Sequence, residues 1–288
     1  METKRPLLGF VGQGFVGKNY ADDFENRGYR VVRYSLEQPY RKNKSKIAQC
    51  DVVFVAVPTP TTPDGFSHDI VSEALNLIGP GSIGVIKSTV VPGTTEHLQK
   101  KHPSITLLFS PEFLLESTAV HDAAHPFTNI VGVPSQSAQH KKAAETVLDL
   151  LAPAPSSHVC TSTEAELIKY AHNISGYMQI LTFNLFYDLA KQLGASWDNI
   201  QPPLYSDPYI PNYYTRPLHK KGRGAGGSCF VKDFAAFTDV HSKLVEDPLA
   251  TAFLRAAEIK NMQLLHESGK DLHILEQVYG SGYQEKHL

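Results

Sequence analysis

Three cysteines in 288 residues, at positions 50, 160 and 229, are odd in number and unrelated in spacing. They suit neither a disulfide framework nor a metal cluster, so a reducing compartment and no metal are expected. Charge of one sign is also missing. The 27 Lys+Arg face 29 Asp+Glu, and no excess recommends nucleic acid or an anionic membrane surface as a partner. No stretch approaches the ~20 consecutive apolar residues of a membrane span. The amino terminus, METKRPLLGFVGQGFVG, runs from a short basic start straight into glycines, in place of the ~7–15-residue apolar core of a secretory signal. Internal repeats and low-complexity segments are absent. These absences predict a cytoplasmic protein, and at ~100–200 residues per domain the length suits two domains.

What is present begins at once. Leu7 to Val11 reads as a buried strand and is followed by Gly12-x-Gly14-x-x-Gly17, a helical stretch to Arg27, Gly28 as a stop, and a second strand from Tyr29 to Tyr34. Strand before and helix after make this the βαβ dinucleotide fingerprint. Gly12 permits the tight turn, Gly14 lets backbone approach a pyrophosphate, Gly17 lets helix pack on strand, and Phe15 and Val16 complete the loop. The acidic residue expected for the ribose is replaced by Ser35. Glu37 could reach the ribose instead, which favours NAD, whereas Arg33, Arg41 and Lys42 leave a 2′-phosphate, and so NADP, open.

Further strands at CDVVFVAVPTP and SIGVIKSTVVPGT end in proline-bearing turns that hold Val57, Pro58 and Thr59, and Thr89. Alternation with helices predicts a doubly wound parallel sheet whose carboxyl-end loops line the ligand crevice. Glu112 and Glu116 are four apart and would share a face if their segment is helical; glutamates at that spacing more often form a solvated face. Pro153 and Pro155 mark a break, which divides the chain into a Rossmann-type domain over 1–155 and an all-α domain over 156–288. A short strand at Ser157 to Cys160 precedes Thr163-x-x-Glu166, read as a capping box. It opens a long central helix to about Leu193, on which Lys169 and Asn173 share a face. Residues 200–222, aromatic and proline-rich, read as a loop, and the chain from Phe230 to about Ser268 as helical.

In GRGAGGSCFVKD (222–233), Cys229 closes a glycine run. A thiolate is a strong nucleophile toward carbonyl carbon, and backbone amides of a turn or helix start favour it. A buried structural thiol is the commoner fate of cysteine, but glycines, a serine and charges surround this one. Lys232 and Asp233 are expected to begin the next helix.

The blocks GFVGQGFVG, DVVFVAVPTP, KSTVVPGTT, SPEFLLESTAVHD, EAELIKYAHN and GGSCFVKD resemble, in order, the UDP-glucose/GDP-mannose dehydrogenase family, from about Leu7 to His266. The resemblance implies a four-electron oxidation of a nucleotide-sugar C6 alcohol to the carboxylate (UDP-glucose to UDP-glucuronate or a close analogue) with two NAD per turnover. Cys229 would capture the aldehyde as a thiohemiacetal and then carry a thioester. Lys169, Asn173 and Asp233 would surround the reacting oxygen and a water, Glu112 would assist thioester hydrolysis, and Thr89 would hold a water or the cofactor. Glu116 and Lys232 would lie by the cofactor; Glu112, Phe113, Leu114, Glu116, Tyr214 and Gly226 would meet the substrate. A homodimer through the long helix is implied. Three departures stand out. Ser35 replaces the family aspartate beside a shortened segment, DPYIP with Tyr209 stands where the family has an arginine stretch, and the usual third, UDP-covering domain would come after Leu288, where the sequence stops. Two alternatives remain: a two-electron hydroxy-acid dehydrogenase with an incidental Cys229, and a non-catalytic subunit that needs a partner.

Overall fold

The computed structural model describes residues 5–210 and 212–288, so the first four residues and Pro211 of DPYIP lie outside the described residues. Contacts divide the chain into two units. One comprises residues up to Thr59 together with Ser67–Lys169; the other comprises Pro60–Phe66 and Tyr170–Leu288.

In the first unit the fingerprint folds as expected: β1 (Leu7–Val11), α1 (Phe15–Asn26) and β2 (Arg30–Tyr34). A 3₁₀ segment, Tyr40–Gln49, leads into β3 (Val52–Val55). The strands β4 (Thr61–Thr62) and β5 (Gly65–Phe66) form a small hairpin that belongs to the second unit. The first unit resumes with α2 (Asp69–Leu75), β6 (Ile83–Ile86), α3 (Thr94–Lys101), β7 (Thr106–Phe109), α4 (Ala119–Ala124), β8 (Asn129–Val133), α5 (Ala138–Leu150) and β9 (Ser157–Thr161). The sheet has seven strands in the order β2-β1-β3-β6-β7-β8-β9. It is parallel from β2 to β7; β8 runs against β7, and β9 follows β8. This is the Rossmann-type, doubly wound α/β fold, with a reversed far edge. The chain leaves β1 for β2 on one side and returns to β3 on the other, so the crevice for a ligand opens at the carboxyl ends of β1 and β3. Phe10, Phe24 and Phe54 cluster in the core of this unit, with centroids 4.9–5.6 Å apart, Phe10 stacked on Phe54 and Phe24 tilted against both.

The long helix is α6 (Ser162–Gln192), and Gly194 at φ +68 follows its end. Its start differs from the expected capping box. Overlapping S/T-x-x-E patterns occur in TSTEAE, and the box that forms is Thr161 with Glu164: the Glu164 carboxylate accepts from Thr161 N–H and Oγ1, both at 2.7 Å. Glu166 is fully buried and reaches across instead. It accepts from Gly93 N–H at 2.6 Å and Thr95 N–H at 2.8 Å, the amides that open α3. Burial pushes its carboxyl up to about 7 against these bonds.

In the second unit, α7 (Trp197–Ser206) forms where a loop is expected and runs through Pro202 and Pro203. Trp197, Ile200 and Leu204, each half-buried, line an apolar groove with Met178, Phe186 and Leu189 of α6, and Trp197 meets the Tyr187 ring edge-on with centroids 5.8 Å apart; tertiary contacts of this kind outweigh helix propensity. After a 3₁₀ turn at Asn212–Tyr214 come α8 (Gly227–Leu244), α9 (Pro248–Glu267), α10 (Leu272–Tyr279) and α11 (Tyr283–His287). The stretch expected as one helix is thus two. Asp247 breaks it by capping α9, accepting from Leu249 and Ala250 N–H, with Pro248 at the first helical position.

Candidate active site

The cradle for a dinucleotide is built by three loops of the first unit. Gly12 has φ +93, and a Cβ there would run into the Ala56 carbonyl; a Cβ at Gly17 would strike the carbonyl of Gly12. At Gly14 a Cβ would meet nothing within 4 Å. Two glycines are therefore demanded by the fold, while the third keeps backbone bare toward the crevice. Gly14 caps α1 without a side-chain bond, and no acidic residue stands in the first turn, so the helix dipole is available to an anion. This arrangement fits a pyrophosphate. Ser88 binds the loops after β3 and β6 together, accepting from Val57 N–H at 2.9 Å and donating to Val57 O at 2.7 Å. Thr59 is buried and Thr89 half-buried beside this tie. Ser35 closes a tight turn with Glu37. Arg33 does not have the role left open for it. Its guanidinium is held at 2.7–3.0 Å by both oxygens of Glu25 and at 2.6 Å by Asp22.

Glu112 and Glu116 do not share a helix. The segment that follows Pro111 stays irregular until α4. Glu116 is exposed. Glu112, 6% exposed, pairs at 2.9 Å with Lys169 of α6, 4% exposed, and accepts from Leu114 N–H at 2.8 Å. Burial by itself raises the Glu112 carboxyl, but the charge and hydrogen bond of Lys169, the Leu114 amide and Lys87 together hold it below the usual range. Phe113 lies with its ring 5.4 Å from the Lys169 ammonium.

Lys87 was not singled out by any motif. Fully buried at the end of β6, it donates to Ser110 O at 3.1 Å, Ser110 Oγ at 3.2 Å and Pro111 O at 3.4 Å, and its ammonium sits 4.2 Å from the Tyr20 ring centroid. Burial lowers it to about 7, with Glu112 raising and Lys169 lowering it further. It holds the turn that carries Glu112. A lysine inside KSTVVP, directly after an apolar strand, was the available signal.

In the second unit, Asn173 on α6 donates to Asp233 Oδ2 at 2.7 Å, and Lys232 binds the other oxygen; Asn173 and Asp233 are 6% and 1% exposed. Lys169 and Asn173 stand one turn apart on α6, each tied to a carboxylate of its own unit. The helix after the glycine run begins at Gly227, so Cys229 occupies its first turn and Lys232 and Asp233 lie inside it. The thiol is exposed, and Gly226 caps α8 with no side-chain bond and no acid in the first turn. Tyr214 packs edge-on against Phe230, with centroids 5.6 Å apart; burial, then Tyr213 and Cys229, pushes its phenol up to about 12.

Residues 36–150 match the NAD binding domain of the UDP-glucose/GDP-mannose dehydrogenase family, and residues 163–263 match that family's central domain. The chain is 30% identical over 229 residues to UDP-glucose 6-dehydrogenase YwqF of Bacillus subtilis, covering 75% of this chain and 49% of that protein. It is 32% identical over 228 residues to the Rhizobium meliloti UDP-glucose 6-dehydrogenase, covering 72% and 51%. The chain thus spans about half the length of these curated relatives. A UDP-glucose dehydrogenase from Pyrobaculum islandicum superposes with a TM-score of 0.78 at 28% identity, covering 92% of this chain and 72% of that one. A 3-hydroxyisobutyrate dehydrogenase from Mycobacterium tuberculosis, 15% identical, shares the fold at a TM-score of 0.68.

Proposed function

The chain belongs to the UDP-glucose/GDP-mannose dehydrogenase family, and from that premise we propose that it oxidises the C6 alcohol of a nucleotide sugar through the aldehyde to the carboxylate, with Cys229 as nucleophile. Its first matched region is an NAD binding domain, and NAD fits the glycine cradle. When bound, the cofactor supplies the acceptor for each hydride.

The residues have these roles. Lys169 opposes negative charge on the reacting oxygen, as a fixed cation does best where water is scarce. Asn173 and Asp233 orient the water that takes the alcohol proton as the first hydride leaves C6. The Cys229 thiolate then adds to the aldehyde carbon, forming a C–S bond and a thiohemiacetal. Loss of the second hydride leaves a thioester, and water, assisted by Glu112, breaks the C–S bond to release carboxylate and restore the thiol. In sum, one alcohol, one water and two NAD give one carboxylate, two NADH and three protons. Thr89, Glu116 and Lys232 flank the cofactor; Phe113, Leu114, Tyr214 and Gly226 meet the sugar nucleotide.

The observation that carries the reading is the exposed thiol in the first turn of α8, because an ordinary two-electron dehydrogenase has no use for one. Counting NADH per UDP-glucose consumed is the test. Two NADH support the reading, whereas one points to a two-electron enzyme with an incidental cysteine.

A homodimer accompanies this reading. Leu185, Phe186 and Leu189 of α6 and Leu193 just beyond its end are 55–74% exposed beside the groove of about 780 Å³ shared with α7, more apolar surface than a helix leaves in water. A second copy would cover it, and sedimentation at micromolar concentration showing only a 31.8 kDa species would oppose it. No helix among the described residues is long and apolar enough to cross a membrane, and three free cysteines suit the cytoplasm.

A further inference from the structure

A glycine run is the least ordered way to lead into a nucleophile. Gly222, Gly224, Gly226 and Gly227 carry no side chain to pack, and glycine loses more conformational freedom on folding than any other residue. Left to itself, such a run would let the first turn of α8 fray. It is instead held at Arg223, Gly224, Ala225 and Gly227 by groups that lie 36–46 positions later in the chain.

Asn261 of α9, 1% exposed, clasps the buried Ala225 as a neighbouring strand would, its Oδ1 accepting from Ala225 N–H at 2.7 Å and its Nδ2 donating to Ala225 O at 2.9 Å. In the turn between α9 and α10, Ser268 Oγ accepts from Arg223 N–H at 2.9 Å. Lys270 Nζ donates to Gly224 O at 2.9 Å, and Asp271 Oδ2 accepts from Gly227 N–H, the first amide of α8, at 2.8 Å. The fit is close. A Cβ on Gly226 would run into the Asp271 carboxylate, and one on Gly222 would lie 2.6 Å from Lys270 Cβ. Asp271 itself adopts φ +54, a conformation unusual for a residue other than glycine. Ser268, Lys270 and Asp271 all lie beyond residue 263, where the match to the family's central domain ends.

We infer that Asn261, Lys270 and Asp271 are positioning residues for Cys229, fixing the run 222–227 so that the thiol stays in the first turn of α8. The inference rests on the proposed nucleophilic role of Cys229 for its importance, but not for its geometry. Asp271 is the sharpest case, because its carboxylate is both an anchor and a charge, and the two have opposite consequences. As an anchor it keeps the amides of the first turn in line, which favours the thiolate. As a charge near a thiol it disfavours the thiolate.

The experiment measures carbamidomethylation of Cys229 by iodoacetamide across pH, read by peptide mass so that Cys50 and Cys160 do not interfere. It compares wild type, Asp271→Gly and Asp271→Asn. Glycine tolerates φ +54, so that variant removes the side chain without backbone strain, and asparagine retains an acceptor without the charge. Positioning predicts that Asp271→Gly moves the midpoint of alkylation to higher pH and slows the reaction several-fold at pH 7. Asp271→Asn recovers most of that loss, and Lys270→Met shows a smaller slowing. Faster alkylation in both Asp271 variants would make the residue only a charge, and an unchanged rate in both would remove it from the story; either result overturns the inference. Melting temperatures of the same variants guard against unfolding. If Asp271→Gly slows alkylation while Cys229→Ser retains full turnover, the anchor stands and the proposed chemistry falls.

Discussion

Two glycine runs lead into two helices in this protein, and only the first explains itself. Gly12 to Gly17 is shaped by neighbours from its own βαβ unit and the adjacent strand: the carbonyls of Ala56 and Gly12 forbid a Cβ at two positions, and nothing opposes one at the third. Gly222 to Gly227 is shaped by side chains from another helix and its following turn, Asn261, Ser268, Lys270 and Asp271. A motif is legible when the atoms that require it arrive in a fixed local order. When they come from tens of residues away, the run looks like a flexible loop and its partners look like ordinary surface polar residues.

The largest test of this contrast sets glycines of the first run against one another. Gly17→Val inserts three carbons against the Gly12 carbonyl, and overpacking against backbone of this kind should destabilise the first unit by about 3 kcal/mol or more. Gly14→Val meets nothing within 4 Å, so it should melt with wild type while calorimetry detects no NAD binding. Retained affinity in Gly14→Val would remove the cradle assignment.

A second test concerns what each run delivers, a binding site in one case and a nucleophile in the other. Cys229→Ser should bind NAD as wild type does but lose turnover about 100-fold or more, because a serine hydroxyl is far less ionised and its ester hydrolyses more slowly. Aldehyde or a covalent sugar adduct should appear, with fewer than two NADH per substrate. Full stoichiometry and wild-type turnover would reduce Cys229 to a surface thiol.

A third test removes a partner of the second run. Asn261→Ala leaves the N–H and C=O of the fully buried Ala225 without their bonds, and two orphaned backbone groups should cost about 2–4 kcal/mol in urea unfolding. A loss under about 0.5 kcal/mol, the usual range for a surface change, would mean that the run is ordered by something other than α9.

The same division between local and remote explains what was legible in the sequence. Strand, glycines and helix at residues 7–26, the stop at Gly194, and Lys169 with Asn173 one turn apart all depend on local order and periodicity. Four features turned on more than that. Glu112 turned to Lys169 while Glu116 stayed exposed; Thr161 and Glu164 formed the box for which Thr163 and Glu166 also had the spacing, and the Glu166 carboxylate found α3 instead; α7 formed through its two prolines, with apolar side chains that line a groove with α6; and Glu25 and Asp22 claimed Arg33. The candidate site was read as a set of residue types. Its pairings, Glu112 with Lys169 and Asp233 with Asn173 and Lys232, came only from the structure.

The smallest expected effect sharpens the contrast inside the first unit, where Lys87 too is tied to partners outside its own element, 23 and 24 positions later in the chain. Its acceptors are the carbonyls of Ser110 and Pro111 and the Ser110 hydroxyl, and burial lowers it to about 7 in the folded protein, against ~10.4 for an exposed lysine. Below pH 7 both states hold the proton and the folded state bears the full penalty of a buried charge. Above pH 7 the folded state releases the proton while the unfolded state keeps it, so stability should rise with pH between about 7 and 10, at up to about 1.4 kcal/mol per unit for this one group. Between pH 7 and pH 8 the gain should be about 1 kcal/mol or less, since Lys87 is only half titrated at the start. Urea unfolding of wild type and Lys87→Met at the two pH values isolates it. The increment should be present in wild type and absent in the variant, which should also lose turnover because the turn carrying Glu112 is no longer tied. An identical pH response in both proteins would mean that Lys87 keeps its proton throughout and that Glu112 and Lys169 face a fixed cation.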